Sequence, residues 1–124
     1  MIQMTSMIKF KCVYYQTDGG RVPVKEFVDS LHERTQHKYF EVVKLLEDYG
    51  KSLPHPHADF LGNEIYELRF VGIEGRIRVL YFFYYENKII FTNGFVKKTQ
   101  RAPKGEIELA KERRGSYFER HTKS

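Results

Sequence analysis

From Ile65 to Lys98 apolar and polar positions alternate along the chain: IYELRFVGIEGRIRVLYFFYYENKIIFTNGFVKK. Successive side chains of a strand point to opposite faces, so this period predicts three antiparallel strands with two unlike faces. In the first strand Tyr66, Leu68 and Phe70 face one way, and Glu67 and Arg69 the other. In the second, Ile77, Val79, Tyr81 and Phe83 oppose Arg76 and Arg78. A tight turn around Ile73-Glu74 pairs Val71 with Arg76 and sets Arg69 directly across from Arg78. A turn at Glu86-Asn87 then places Arg76 opposite Lys97 and Arg78 opposite Phe95. A turn at Asn87-Lys88 instead brings Arg78 opposite Lys97. In both registers Lys97 joins the arginines. The apolar face, completed by Ile90, Thr92 and Val96, is expected to pack on helices. The other is expected to be an open basic patch with one acid, Glu67, inside it.

Met7 to Tyr15 also alternates, with Ile8, Phe10, Cys12 and Tyr14 on the apolar side of a half-buried strand. Thr17-Asp18-Gly19-Gly20 breaks it. Pro23 suits the first turn of a short helix whose apolar positions are Val24, Phe27, Val28 and Leu31. Thr35 is the expected cap of a second helix, with Tyr39, Val42, Val43, Leu46 and Tyr49 as its buried stripe and Gly50 as its stop. Lys51 to Asn63, rich in breakers, reads as a loop. After the strands, Pro103 opens a last helix with Ile107, Ala110 and Tyr117 inward and Lys104, Lys111 and Arg114 toward water. The order is β-α-α-β-β-β-α. This is an α+β fold: an antiparallel or mixed sheet of about four strands, two N-terminal helices on one face, and a C-terminal helix.

The 124 residues make one domain with room for a real core, residues 1–6 being a loose lead-in. The longest apolar run, around Val79–Tyr85, is about ten residues, too short to span a membrane. The N-terminus lacks the apolar stretch of a signal peptide. Cys12 is the only cysteine, which excludes an internal disulfide and suits the cytoplasm. The net charge of +5 lies entirely in residues 97–124, where nine Lys and Arg face four Glu. A basic terminal element points to nucleic acid or an acidic partner, although a solvated face has the same composition.

Like charges directly opposite one another on a sheet cost stability. A face carrying Arg69, Arg76, Arg78 and Lys97 is therefore easier to explain if it meets an anion. Guanidinium groups grip phosphate bidentately, so arginine suits a phosphodiester. The plain alternative is an ordinary exposed face on which Glu67 and Glu74 compensate. His55, His57 and Asp59 lack a second ligand cluster and do not make a metal site. Cys12 belongs to the core and not to a nucleophile. Tyr84, on the open face, packs or stacks on a base.

The run ELR…RIRVLYFF…GFVKKTQRAPKGEIELAKER resembles the RelE-like toxins, specifically the HigB-type, phage-derived branch, and the likeness extends from Met7 to Arg114. It implies the toxin of a type II toxin–antitoxin pair, a ribosome-dependent endoribonuclease (an mRNA interferase) that cuts mRNA in the A site without metal or other cofactor. The 2′-hydroxyl attacks the adjacent phosphate, and cations stabilise the phosphorane. The implied partners are a helix-turn-helix antitoxin, mRNA and the ribosome, with operator DNA reached only through the antitoxin. By this resemblance Arg69 matches the family's basic position in its second strand, Arg78 the arginine of the third, and Lys98 the basic residue after the fourth. Glu67 stands where better-studied relatives carry lysine, and Lys104 falls near a tyrosine position. Transfer thus leaves the proton-transfer groups open: Lys97 or Lys98 on one reading, Glu67 as base on the other. Arg76, Lys104, Lys111 and Arg114 are the expected RNA contacts. The missing acid–base pair keeps a second reading open, a non-catalytic RNA- or protein-binding module of the same fold acting as operon corepressor.

Overall fold

The computed structural model describes residues 8–121; the expected lead-in over 1–6 lies outside them. The elements are β1 (Lys11–Tyr14), α1 (Pro23–Asp29), α2 (Glu33–Tyr49), β2 (Ala58–Gly62), β3 (Ile65–Gly72), β4 (Gly75–Tyr84), β5 (Lys88–Lys97) and α3 (Lys104–His121). They build a mixed five-stranded sheet in the order β1-β5-β4-β3-β2. Only β1 runs parallel to its neighbour, β5. The strand beyond the expected four is β2, which lies inside the breaker-rich segment and pairs with β3 from Ala58↔Leu68 to Gly62↔Ile65. Its turn residues, Asn63 and Glu64, both take positive φ, as a type I′ hairpin requires.

Both sheet faces are covered, not one. On the first, Val24, Val28, Tyr39, Val42 and Leu46 of α1 and α2 pack on Leu68, Phe70, Ile77, Val79, Tyr81 and Phe91. On the second, Ala110 and Tyr117 of α3 close over Ile65, Leu80, Phe82 and Ile90. The basic face is thus confined to the end of the sheet that α3 leaves free. Tyr84 is not on an open face; its ring packs edge-on against Tyr117 and Phe118.

Ile90 was expected under α1 and α2 but belongs to the α3 side, and the cause is one bulge. The β4–β5 pairing starts at Tyr84↔Lys88, so the turn holds three residues instead of two. An extra residue in β5, Thr92, shifts the register between Tyr81↔Phe91 and Leu80↔Asn93. Thr92 is fully buried and donates its hydroxyl to the Leu80 carbonyl at 3.2 Å. Beyond it the ladder regains Arg78↔Phe95 and Arg76↔Lys97.

The expected cap of α2 is also reassigned. His32 is the N-cap, its Nδ1 accepting from the Arg34 N–H at 3.1 Å. Thr35 instead ties α2 to the β3–β4 turn: its hydroxyl donates to Glu74 Oε1 at 2.7 Å and accepts from the Ile73 N–H at 2.9 Å. Glu74 Oε2 accepts from the His32 N–H at 2.6 Å. Gly72 is needed here, since a Cβ would lie 2.3 Å from Thr35 Cγ2. The His32 N–H, then the Thr35 hydroxyl, hold the Glu74 carboxyl below the usual carboxylate range. A lowered folded value means stability that is present above the unfolded carboxyl pKa, about 4.3, and lost as pH falls through the folded value. Glu74→Gln should therefore cost about 1 kcal/mol at neutral pH, the scale of a lost cap, and flatten the acid limb of stability. Urea denaturation across that range checks this. Parallel acid limbs for both proteins would rule out the clasp as its source.

Cys12 packs against the first core. Burial, reinforced by Glu47, pushes its thiol well above the ordinary range. The Glu47 carboxylate accepts the Cys12 backbone N–H at 2.9 Å.

Candidate functional site

Antiparallel pairing of β3 with β4 places Arg69 directly opposite Arg78. What lets two guanidinium groups share this position is Glu67, only 3% exposed, two residues before Arg69 on the same face. Its Oε1 lies 3.5 Å from Arg69 Nε and 3.7 Å from Arg78 Nε. Arg78 is 5% exposed and donates from Nη1 to the Ile77 carbonyl at 3.0 Å. Burial lowers its pKa, Glu67 works in the opposite sense, and Arg69 and Arg76 add to the lowering. A guanidinium stays charged under such a shift. The result is a buried charge whose Nε has no hydrogen-bond partner among the described residues. Such a group is costly unless something else reaches it.

Arg76↔Lys97 forms the next rung toward the open end of the sheet. Lys98 follows immediately, exposed and past the end of β5. Among the described residues none of these three makes an ion pair within 4 Å. Of the two acids expected to compensate the face, Glu67 does so. Glu74 turns to α2 instead.

The α3 cations separate into two kinds. Lys104 opens the helix and is exposed; Lys111 pairs with Glu108 at 3.1 Å. Arg114 was expected toward water, but its guanidinium lies over the Phe118 and Phe82 rings, at 4.7 and 5.9 Å. Arg113 and Arg120 lie over the Tyr15 ring at 5.5 and 5.0 Å, and each donates to a backbone carbonyl, Thr92 and Gln16 respectively. Three of the C-terminal cations, Arg113, Arg114 and Arg120, therefore help fasten α3 onto Phe82 and Tyr15 through cation–π contacts.

Two residues outside the expected set join the cluster. Asp59 lies across from Glu67 in the β2–β3 ladder, 3.9 Å from Arg69 Nη1 and 3.1 Å from His55 Nε2. The usable signal was alternation: once Ala58–Gly62 is read as a strand, Asp59 falls opposite Glu67.

Fold and face together define a small α+β protein with a cationic sheet surface built around a buried carboxylate. The chain belongs to the family described as Phage derived protein Gp49-like (DUF891), whose model matches residues 26–115, and with it to the RelE/Gp49 toxin-like group. The match spans every strand but β1, and α3 as far as Gly115. Among curated proteins no sequence matches significantly. No helix among the described residues is long and apolar enough to cross a membrane.

Proposed function

We propose that this protein is the HigB-type toxin of a type II toxin–antitoxin system, a ribosome-dependent mRNA endoribonuclease acting in the cytoplasm by metal-independent 2′-hydroxyl attack. The observation that carries this reading is the Arg69–Arg78 pair fixed on facing strands by Glu67. The phosphorane gains negative charge relative to the diester. Fixed guanidinium groups stabilise that gain without reorganising during the reaction. In this reading Arg69 and Arg78 hold the scissile phosphate and Arg76 the neighbouring backbone. Glu67, buried between two cations, positions them. Lys97 and Lys98, at the open end, supply proton transfer to and from the 2′ and 5′ oxygens. A helix-turn-helix antitoxin holds the toxin off the ribosome and carries the pair to operator DNA.

Induced expression with and without the partner tests the reading, with primer extension on cellular mRNA. Growth arrest with new 5′ ends inside translated frames, both suppressed by the partner, is the expected result. Lack of cleavage in translated mRNA would favour the non-catalytic corepressor.

Lys104 and Lys111 are proposed to dock on ribosomal RNA. Arg114, held against Phe118 and Phe82, supports the helix that presents them. Binding through phosphates weakens steeply as salt releases the counterion advantage. Reversing Lys104 and Lys111 to Glu should lower ribosome co-sedimentation and reduce its salt dependence, with the melting curve unchanged. Co-sedimentation indifferent to both the substitutions and salt would exclude this docking surface.

A further inference from the structure

Beside the arginine pair the sheet has an unfinished edge. Strand β2 pairs with β3 only as far as Leu68, and the last contact across this gap is the Arg69 N–H donating to the His57 carbonyl at 2.8 Å. Beyond it, among the described residues, no strand lies on the outer side of β3. The gap opens into a cleft of about 460 Å³ between α2, the Pro56-His57 segment and the end of β3. This is within the roughly 300–1,000 Å³ of small-ligand sites. Val42, Pro56, Phe70 and Val71 give it apolar walls; Lys38, Arg69, Arg76 and Arg78 also line it, and among the described residues no acid does. Val71 is 67% exposed, an apolar side chain left in the open.

We propose that this cleft is a nucleobase pocket, taking the base of the nucleotide next to the phosphate that Arg69 and Arg78 hold. The proposal deepens the ribonuclease reading and rests on it for the role of that nucleotide. A nucleotide joins a flat, weakly polar ring to an anion, and the cleft joins apolar walls to guanidinium groups in the same way. RNA-reading sites generally take unstacked bases on aromatic rings or guanidinium planes, and Arg69 and Arg76 bring guanidinium groups to this lining. The strand edge adds a means of selection. In a strand, residues two apart direct their backbone polar groups to the same side, so Val71 presents its N–H and C=O where Arg69 presents its own. One donor and one acceptor facing the cleft match the hydrogen-bonding edge of a base. The lack of an acidic lining residue argues against a basic ligand. An extended acidic peptide adding a strand to the same edge is the competing occupant, but a strand on that edge leaves the cleft toward Val42 and Pro56 unfilled.

The test uses the intact chain and needs no cleavage. The four nucleoside 5′-monophosphates are titrated against ribose 5-phosphate, with the Val42 and Val71 methyl groups followed by NMR. At least one nucleotide should bind tenfold or more tightly than the sugar phosphate and shift both methyl signals. Val71→Gln, which replaces an exposed apolar wall by a longer polar one, should remove at least threefold of that advantage and leave sugar-phosphate binding unchanged. Equal affinity for nucleotides and sugar phosphate, or methyl signals that do not move, overturns the pocket. So would shifts at Val71 caused by an acidic peptide and by no nucleotide. Base-dependent binding at the cleft in a protein that cleaves no mRNA would leave the pocket standing and remove the ribonuclease reading alone.

Discussion

Arg78→Ala is expected to abolish growth arrest while the protein stays folded. Removing one preorganised donor from a developing oxyanion typically costs about 2–4 kcal/mol of transition-state stabilisation, roughly 30- to 1,000-fold in rate. The upper part of that range is expected because Arg78 is 5% exposed, where water screens its charge little. The fold should survive because Glu67 keeps a partner: Arg69 remains 3.5 Å away. Arg78→Lys should recover only part of the activity, since lysine restores the charge but not the fork that spans two phosphate oxygens. A thermal melt on each variant separates lost chemistry from lost structure. Wild-type arrest by Arg78→Ala at equal expression would remove Arg78 from the site.

The largest effect on stability is expected at Glu67. Glu67→Ala takes away the carboxylate that both guanidinium groups share, leaving Arg69 and Arg78 face to face with Arg78 still buried. Removing one member of a buried ion pair typically costs about 3–5 kcal/mol because a charge is left uncompensated. For a domain of this size, that is a fall in Tm on the order of 10 °C or more. The pairing makes a further, non-additive demand: Arg78→Met placed on Glu67→Ala should restore part of the loss, since the stranded charge goes with it. Glu67→Gln distinguishes positioning from base catalysis. It keeps shape and a carbonyl acceptor, so a positioning residue should leave substantial activity. Loss of a general base costs about 10²- to 10⁴-fold. A Glu67→Ala protein that melts with the wild type would show that the carboxylate does not hold the arginines.

The arginine register could be read from the chain because two short-range signals agree there. Alternation fixes the faces of Glu67, Arg69, Arg76 and Arg78, and the Gly72–Gly75 turn leaves one natural pairing. The two N-terminal helices follow from apolar spacing and from Pro23 and Gly50 in the same way. What escaped reading depends on partners distant in sequence. Strand β2 follows Pro54 and Pro56, carries a bulge of its own, and is recognisable only once β3 is beside it. The second core appears only when α3 is laid over Leu80 and Phe82, which a two-faced pattern assigns to solvent. Composition located the excess charge in the last 28 residues. It carries no record of which guanidinium groups rest on aromatic rings, so Arg114 looked free. Asp59 and the cleft beside Arg69 followed from β2, and were hidden with it.

The extra residue at Thr92 has a consequence for how this chain tolerates change. It absorbs the odd count of the three-residue connection at Tyr85–Asn87, so the cation-bearing rungs keep the partners that a two-residue turn would give them. Tyr85, Glu86 and Asn87 are all exposed. Insertions and deletions are tolerated best at such surface tips. A lineage can therefore remodel that tip, and whatever meets it, while the arginine end is inherited intact: one buried threonine makes the two ends of the sheet separately evolvable.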